Sequence, residues 1–391
     1  MTNDRYDENY ISGRTVILNG QYKLNKIIGR GSQGRVYQAS DVVLGNTVAI
    51  KELTRLSDKK YFKEEARILT RFSDAPDIVH VYDYFEDNDS FYYVMEYLEG
   101  ATLKDNILMA KAKNLLFSLD SASKIVLRML NALSKVHRAG IIHGDVKPGN
   151  VEVYKNGTIK IFDFGSANCI GQSRGIYNTV TPVYAAPEQY DFHGVSPSVD
   201  IYATGAVFYE LLSGQKIPPA YERSGKDLPL VSELNEKVPR HIAEAIDIAI
   251  SMDNRRRFQR AEDFIEALGG NPFSLEGQES IIDKIRKDAV PKDDRRPLES
   301  GRLLDGRYEI RNFEFRTKDA LIYKAFDHIL LRQLYLEEYF PRDLAKREEN
   351  SDYLTSVDID RIFALRNSEQ NKYYGAFLEN KTVYTVLEFC V

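Results

Sequence analysis

Residues 143–150 read His-Gly-Asp-Val-Lys-Pro-Gly-Asn. The Asp145 carboxylate can accept a proton from an attacking hydroxyl group, and Lys147 can neutralise charge on a phosphoryl group in transfer. Asn150 supplies an amide oxygen, one of the hard oxygen ligands that Mg²⁺ prefers. His143 is better interpreted as a packing and hydrogen-bonding residue than as a base. The segment predicts a site for phosphoryl transfer.

A second segment downstream, residues 161–165, reads Ile-Phe-Asp-Phe-Gly. Its Asp163 offers a carboxylate as a further ligand for Mg²⁺. One such segment can arise by accident, whereas two in this order and at this spacing argue against coincidence. Together they predict Mg²⁺-assisted chemistry on a phosphate.

Upstream, residues 29–36 read Gly-Arg-Gly-Ser-Gln-Gly-Arg-Val. Glycines let the backbone approach phosphates closely, and their amide groups can bond phosphate oxygens. A glycine run alone is a weak signal, since it also marks dinucleotide-binding folds. This one lies in a strand-turn-strand pattern instead of opening a helix, which disfavours the dinucleotide interpretation.

A lysine follows the glycine run at the end of the next strand-like stretch, where Lys51 closes Val-Ala-Ile-Lys. Lys51 suits a point charge for the α- and β-phosphates; otherwise it is an exposed strand lysine. Such a lysine needs an anionic partner, and the following helical stretch offers Glu64 and Glu65. We prefer Glu65, and expect the other carboxylate to lie on a solvated helix face.

These motifs resemble the eukaryotic-type protein kinase family, and its bacterial serine/threonine kinases in particular, over about residues 21–268. The resemblance implies an α+β fold of two lobes: a five-stranded sheet with one helix, joined by a hinge to a helical lobe, with ATP and Mg²⁺ between them. It implies Asp145 as catalytic base, Lys147 as phosphoryl contact, and Asn150 and Asp163 as Mg²⁺ ligands. It also implies that Lys51, paired with Glu65, contacts the phosphates.

The remaining ATP contacts follow from the same resemblance. Glycines would cover the phosphates, Ala49 would cover the adenine ring, Met95 would be the gatekeeper, and the hinge would run from Glu96 to Leu98. The implied ATP-binding residues are Ile28, Gly29, Gly31, Ser32, Gly34, Val36, Ala49, Lys51, Met95, Glu96 and Leu98.

Further motifs separate protein kinases from small-molecule phosphotransferases. Ala186-Pro187-Glu188 resembles the end of an activation segment that opens at Phe164 and Gly165, and Glu188 should form a buried ion pair with Arg257. Asp200 resembles the aspartate that anchors the catalytic loop. Lys147 together with Thr181 resembles the serine/threonine class instead of the tyrosine class.

Two positions depart from the family pattern. Gly144 replaces the usual arginine before the catalytic aspartate, which puts switching by loop phosphorylation in doubt. Ser173, Tyr177, Thr179 and Thr181 are the candidate phosphorylation sites in this stretch. Tyr202 stands where the family usually has tryptophan, a tolerable aromatic exchange.

The composition bounds the other function classes. The 391 residues contain 53 Lys and Arg against 58 Asp and Glu, a net charge of −5, which argues against nucleic acid as a partner. Only two cysteines occur, Cys169 and Cys390, so neither a disulfide framework nor a zinc site is expected, and a reducing cytosol fits. No apolar run approaches the length of a membrane span, and the N-terminus lacks a signal-peptide pattern. We expect a cytoplasmic protein without a membrane contact.

An internal repeat explains the C-terminal part. A shift of 286 residues aligns residues 20–52 with residues 306–338 without a gap and with 8 identities in 33 positions. A shift of 292 extends the match from residues 91–97 to residues 383–389. The alternative is two unrelated sheets that share strand composition. The predicted organisation is a polar segment at 1–20, a kinase N-lobe at 21–98, a C-lobe at 99–270, a charged linker at 271–300 and a small α+β N-lobe-like domain at 301–391.

The second copy lacks the chemistry of the first. Phe315, Thr317 and Ala320 replace the three glycines, and Glu337 replaces the phosphate lysine, so this copy should not bind Mg-ATP alone. A lobe without its helical partner leaves apolar surface, which favours docking or self-association. A vestige, or a truncated longer pseudokinase, are the alternatives.

The sequence therefore predicts an Mg-ATP-dependent serine/threonine protein kinase that acts on protein substrates and on itself. The main alternative is an ATP-binding, pseudokinase-like scaffold with little turnover, favoured by Gly144 and by the non-catalytic second copy. A third option, phosphorylation of a small molecule, is disfavoured by the 186–188 motif and by Asp200.

Overall fold

In a computed structural model, the chain folds into two compact units. The first comprises residues 1–74, 80–97 and 278–391, and the second residues 75–79 and 98–277. The structure describes residues 16–30, 34–53, 59–72, 75–87, 90–169, 181–191, 195–223, 228–270, 286, 289–290, 293, 295–328, 332–340, 346–347, 354–355, 375–379 and 382–389.

The first unit holds two six-stranded antiparallel sheets. The first sheet has the order β1-β2-β3-β4-β6-β5, and the second has the order β12-β13-β14-β15-β19-β18. The strands of the first sheet and its helix are β1 (Ile17–Leu18), β2 (Tyr22–Arg30), β3 (Gly34–Asp41), β4 (Thr47–Leu53), α1 (Lys59–Thr70), β5 (Val81–Asp87) and β6 (Ser90–Glu96). Those of the second sheet are β12 (Leu303–Leu304), β13 (Tyr308–Arg316), β14 (Ala320–Asp327), β15 (Arg332–Tyr339), β18 (Gly375–Glu379) and β19 (Thr382–Phe389), with a separate pair, β16 (Lys346–Arg347) and β17 (Leu354–Thr355).

The two sheets repeat each other in backbone detail. Strands β2 and β3 shift register between Leu24 and Lys26 and again between Ile27 and Gly29, and β13 and β14 do so 286 residues later, between Ile310 and Asn312 and between Phe313 and Phe315. The turn before each long strand uses two successive residues of positive φ, Asn19-Gly20 in one and Asp305-Gly306 in the other. Matching bulges and turns extend the 286-residue periodicity of the sequence to the fold.

Each sheet also buries one glutamate between two tyrosines. In the first, Glu52 accepts hydrogen bonds from the hydroxyls of Tyr37 (2.6 Å) and Tyr92 (3.3 Å). In the second, Glu338 accepts them from Tyr323 (2.6 Å) and Tyr384 (2.9 Å). A buried carboxylate is costly unless its oxygens are hydrogen-bonded, so the three side chains of each set depend on one another.

The expected boundaries of both sheets need correction. Strand β1 falls inside the segment 1–20 that was expected to precede the first sheet, which has six strands instead of five. Val16 and Leu18 enter its hydrophobic core, which explains why the described end of this segment, residues 16–20, belongs to the sheet. Likewise Arg295 and Leu298, within the expected linker 271–300, are buried against the second sheet: Arg295 donates to the carbonyls of Thr317 and Phe340.

The second unit is mainly helical. Its elements are β7 (Ala101–Thr102), α2 (Leu103–Ala112), α3 (Leu119–Arg138), β8 (Ile141–Ile142), β9 (Val151–Val153), β10 (Ile159–Ile161), β11 (Asn168–Cys169), α4 (Glu188–Asp191), α5 (Ser198–Ser213), α6 (Val231–Leu234), α7 (Arg240–Ala249) and α8 (Ala261–Ala267), with 3₁₀ turns at Pro148–Asn150, Phe164–Ser166, Ala220–Glu222 and Asn254–Arg256.

Helix α5 is the centre of this unit. It is apolar around its whole circumference and buried from Ser198 to Leu212, whereas α3 buries one face only. Helix α3 packs against α5 and α8, and α5 packs against α7 at Gly205, where an added Cβ would lie 2.8 Å from the Ala249 side chain. Gly214 ends α5 in the left-handed conformation that glycine favours. In the part of the chain that the structure describes, no helix is long and apolar enough to cross a membrane.

A small sheet of β7, β9 and β10 contains one buried carboxylate, Glu152. Its side chain lies against Gly100, where an added Cβ would be 2.9 Å from the Glu152 Cγ. Burial, together with the charge of Asp105, raises the pKa of Glu152 to about 7, while a hydrogen bond from the Gly100 backbone opposes the shift. The folded protein therefore binds a proton here that the unfolded chain has already released.

This shift predicts how stability depends on pH. Because the folded-state pKa is raised, Glu152 weakens the fold as pH rises from about 4.5 to 7, and Glu152→Gln should remove that dependence. The difference in unfolding free energy between Glu152→Gln and wild type should grow by about 2–3 kcal/mol from pH 5 to pH 8, measured by urea unfolding. Glu99→Gln, at a neighbouring exposed carboxylate, is the control and should follow wild type. Parallel curves for wild type and Glu152→Gln would contradict the assignment.

Candidate active site

Asp200 of helix α5 holds the loop that carries Asp145 through hydrogen bonds to its backbone. The two Asp200 oxygens accept hydrogen bonds from the backbone N–H groups of His143 and Gly144, each at 2.8 Å, and His137 Nε2 lies 2.8 Å from Oδ2. Burial opposes ionisation of Asp200, but the hydrogen bond and charge of His137, with the Gly144 N–H, hold the pKa of its carboxyl below the ordinary value. Asp200 therefore acts as a buried anion to which the loop backbone is tied.

Gly144 shows why this loop has its shape. Its φ of +78° is left-handed, and an added Cβ would lie 2.9 Å from the Ser166 carbonyl oxygen. Its own carbonyl accepts a 2.8 Å hydrogen bond from Gln189 Nε2, and Gln189 Oε1 accepts from the Ala186 N–H. Gln189 thus links the loop to the segment that ends at Glu188.

Asp145 is the hub of a hydrogen-bonded cluster above this loop. Lys147 Nζ donates to its Oδ2 at 2.5 Å, and the Thr181 hydroxyl donates to its Oδ1 at 2.9 Å. Lys147 also donates to Thr181 Oγ1 at 3.1 Å, which closes a three-membered ring of contacts. Asn150 Nδ2 donates to the Asp145 carbonyl (2.9 Å) and to Oδ2 (3.2 Å). A carboxylate, a cation and a hydroxyl therefore meet at one point.

Asp163 comes to the same end of the β9–β10 hairpin as Asn150. The backbone N–H of Phe162 donates to the Asn150 carbonyl at 3.1 Å, which ties the two chain segments together. Asp163 is exposed and adopts a left-handed φ of +64°, uncommon for a residue with a side chain. Phe164, next in the chain and followed by Gly165, is buried, and its ring lies 4.5 Å from that of His143, which is itself fully buried.

In the first unit, Lys51 and Glu65 form the expected ion pair. Lys51 Nζ donates to both Glu65 oxygens, at 2.8 and 3.0 Å, and both side chains are at most one-tenth exposed. Glu65 is the carboxylate that the sequence favoured as the partner of Lys51. The Tyr93 hydroxyl also donates to Glu65, at 3.0 Å, because Tyr93 lies opposite Lys51 in the β4–β6 register.

The expected nucleotide contacts of the first sheet lie on neighbouring strands. Val36 pairs with Lys51, and Ala49 pairs with Met95, so these residues form two adjacent rows across β3, β4 and β6. Gly29 lies opposite Val36 in the β2–β3 register. An added Cβ at Gly34 would lie 1.8 Å from the Glu52 carbonyl oxygen, so only glycine fits there.

The other expected residues of this set are distributed as follows. Ile28 is exposed. At the end of β6, Glu96 Oε2 lies 3.4 Å from His80 Nδ1. Leu98 begins the main part of the second unit. Gly31 and Ser32 lie outside the described residues, as do the candidate phosphorylation sites Ser173, Tyr177 and Thr179.

The expected ion pair of Glu188 with Arg257 is present. Arg257 donates through Nη1 and Nη2 to the two Glu188 oxygens, at 2.7 and 3.0 Å, and its guanidinium lies 4.9 Å from the centre of the Tyr202 ring. The Tyr202 hydroxyl in turn accepts from Arg223 at 3.1 Å. Tyrosine at 202 therefore combines an aromatic face with a polar contact.

Three contributors escaped sequence reasoning. His137 has no motif spacing, because it meets Asp200 only through the packing of α3 on α5. Gln189 was passed over as the residue after a known motif. Tyr93 could have been found by pairing the two strands that carry Lys51 and Met95 and continuing the alternation along β6.

Comparison with known proteins agrees with this geometry. Residues 22–268 match the protein kinase domain family. Among curated relatives, the chain is 32% identical over 280 residues to a probable serine/threonine-protein kinase PknB of Bifidobacterium longum, covering 64% of this chain and 39% of the relative. It is 32% identical over 263 residues to serine/threonine-protein kinase PrkC of Bacillus subtilis, covering 63% and 40%. It is also 32% identical over 273 residues to serine/threonine-protein kinase PknA of Mycobacterium tuberculosis, covering 65% and 62%.

The alignments thus span about two fifths of the length of the first two of these relatives. The family match over residues 22–268 contains the Lys51–Glu65 pair, the Asp145 cluster and the Glu188–Arg257 pair. The family match covers well over half of the sequence. On these grounds the chain belongs to the protein kinase family.

Proposed function

We propose that this chain is an Mg-ATP-dependent serine/threonine protein kinase that transfers the γ-phosphoryl group of ATP to Ser/Thr hydroxyls of protein substrates, including its own. The observation that carries the proposal is the ring of contacts among Asp145, Lys147 and Thr181. It places a proton acceptor and a cation around a hydroxyl group, which is the arrangement that phosphoryl transfer to an alcohol requires.

In this proposal Asp145 is the catalytic base. An acceptor hydroxyl that reaches Asp145 would lose its proton to the carboxylate as it attacks phosphorus. Lys147, already within 2.5 Å of Asp145, would stabilise the negative charge that develops on the transferred group. Asn150 donates to the same Asp145 oxygen as Lys147, so the base is oriented before substrate arrives.

The donor chemistry of Asn150 and Asp163 fits a magnesium ion. Asn150 turns its amide nitrogen toward Asp145, which leaves the amide oxygen directed to the opposite side, and Asp163 presents an exposed carboxylate at the same hairpin end. Bound Mg²⁺ would neutralise phosphate charge and orient the group to be transferred. Asn150 and Asp163 are the residues proposed to hold it.

For the nucleotide, we propose Lys51 as the phosphate contact, positioned by Glu65. A lysine fixed between two carboxylate oxygens and next to Tyr93 has little rotational freedom, which lowers the entropic cost of binding phosphate. The glycines of residues 29–34 would approach the phosphates, while Ala49, Met95 and the stretch from Glu96 to Leu98 would meet the base. Phe164, Gly165, Glu188, Asp200 and Arg257 are proposed as structural supports.

We further propose that residues 301–391 are a degenerate kinase N-lobe. The identical strand order, the matching bulges and the repeated Tyr–Glu–Tyr set support a common origin with the first sheet. Two differences argue against nucleotide binding there. The glycines are replaced by Phe315, Thr317 and Ala320. The acidic Glu337 lies opposite Thr385, where the first sheet has Lys51 opposite Tyr93. A regulatory or docking role, in a cytoplasmic protein, is the corresponding proposal.

The first prediction about activity concerns Asp163. Asp163→Asn should lower transfer of labelled γ-phosphate from Mg-ATP, to a basic protein and to the chain itself, by at least about 100-fold, because an Mg²⁺ ligand is lost. Asp263→Asn, at an exposed carboxylate of α8, is the matched control and should keep wild-type activity. An Asp163→Asn protein as active as wild type would refute the kinase assignment. A wild-type protein that binds ATP but transfers no phosphate would favour the ATP-binding, pseudokinase-like scaffold.

The second prediction concerns Thr181. Thr181→Val removes the hydroxyl at nearly constant volume, so Asp145 and Lys147 each lose a partner, and kcat should fall by about 10- to 100-fold. Thr181→Ser keeps the hydroxyl and should retain activity within a few-fold. Both should melt within a few degrees of wild type, because residue 181 is only partly buried. Equal kcat for the valine and serine variants would show that the hydroxyl has no part in positioning Asp145.

A further inference from the structure

A buried arginine connects the two sheets of the first unit. Arg307, in the turn before β13, donates to both oxygens of Asp327 in its own sheet, at 2.9 and 2.8 Å. It also forms an ion pair with Asp83 on β5 of the first sheet. The side chain of Arg307 is only 7% exposed. Two carboxylates on different sheets therefore share one guanidinium.

The position of this arginine is instructive because of the repeat. Arg307 corresponds to Gln21, and Asp327 corresponds to Asp41, each by the shift of 286 residues. Gln21 Nε2 donates to Asp41 Oδ2 at 3.0 Å, so the first sheet has the same local contact in neutral form. A glutamine thus satisfies the local aspartate. The positive charge of Arg307 is needed only for the contact with the other sheet.

The surface that Arg307 meets is acidic. We call it the acidic face and define it by Tyr22, Asp41 and Asp83. The Tyr22 hydroxyl donates to Asp83 at 3.2 Å. Burial and the charges of Asp83 and Asp41 raise the pKa of Tyr22 well above its ordinary value, and Arg307 opposes that effect. Burial raises the pKa of Asp41, and the charge of Asp83 adds to this effect. Arg307 is therefore a counter-ion for charges that the first sheet concentrates there.

We propose that the acidic face is a docking site for the second sheet of the same chain, held by the Arg307–Asp83 ion pair, and that this pairing keeps a second copy of the first sheet from binding there. The contact is intramolecular, so it needs no second molecule and benefits from a high effective concentration. The inference does not depend on phosphate transfer.

Charge explains why the second sheet is a better partner than another copy of the first. Two acidic faces brought together would oppose Asp41 and Asp83 of one copy to the same residues of the other, with only the neutral Gln21 between them. Like charges at an interface are costly, and an unpaired buried carboxylate more so. The second sheet has a cation, Arg307, at the position where the first sheet has the neutral Gln21. Its charge is therefore complementary to the acidic face of the first sheet.

The test uses the full chain with a protease site inserted after Gly270, cleaved once the protein has folded. The wild-type pieces should co-elute as one species with the 44.8 kDa mass of a single chain. Arg307→Gln and Asp83→Asn should each weaken the association of the pieces by at least about 100-fold, because a buried ion pair loses one charge. Glutamine at 307 can still bond Asp327, as Gln21 bonds Asp41. Asp83→Asn leaves the Arg307–Asp327 pair intact and keeps an oxygen that can accept from Tyr22, so it removes the charge that faces Arg307.

Arg311→Gln is the matched control. Arg311 lies on the same strand, β13, and pairs with Glu309 at 3.0 Å, but it is nearly half exposed, so its loss should leave the association unchanged. Wild-type pieces that separate would overturn the docking, and undiminished association of the Arg307→Gln and Asp83→Asn pieces would overturn the role of the ion pair. A wild-type mass of two chains would show that the acidic face pairs between molecules instead. All readouts are masses and affinities, so failure here is distinct from failure of kinase activity.

Discussion

The second unit depends on the buried charge of Asp200. A buried anion in the first turn of a mostly apolar helix is unfavourable unless its oxygens are hydrogen-bonded, and here the partners are the backbone N–H groups of His143 and Gly144 and the ring of His137. The same contacts that make the carboxylate tolerable set the loop conformation. Asp145, next in the chain, takes its position from the backbone that Asp200 holds, and Lys147 and Thr181 bond to the Asp145 carboxylate. The contacts of Asp200 in helix α5 therefore serve both the stability of the unit and the geometry of the site.

The duplicated sheets separate what a fold needs from what its chemistry needs. Both copies keep the bulges, the left-handed turn and the glutamate between two tyrosines, which all serve the sheet itself. The second sheet has Phe315, Thr317 and Ala320 where the first has glycines, and Glu337 where the first has Lys51. Glu338, in contrast, matches Glu52, because its removal would leave two buried tyrosine hydroxyls without an acceptor.

Much of the site followed from sequence because its residues are close in the chain or belong to spaced motifs. The Lys51–Glu65 and Glu188–Arg257 pairs and the Asp145 cluster are of this kind. What escaped prediction depends on tertiary packing: His137 reaches Asp200 only when α3 lies on α5, and the order of Val16 to Leu18 depends on a core built from β2 to β6. Arg295 and Arg307 also read as ordinary linker and turn charges. Their burial follows from carbonyl and carboxylate oxygens brought together by the second sheet, which no local pattern encodes.

The left-handed backbone at Gly144 has a consequence for which residues this position can accept. A codon change to arginine would restore the residue that the family usually has there, but the Cβ would meet the Ser166 carbonyl and the φ angle would be strained. Recovery of the arginine would therefore require the Asp200-bound loop and its Gln189 contact to rearrange at the same time. A side chain at position 144 would therefore disturb at once the backbone that Asp200 binds and the contact between this loop and the segment that ends at Glu188.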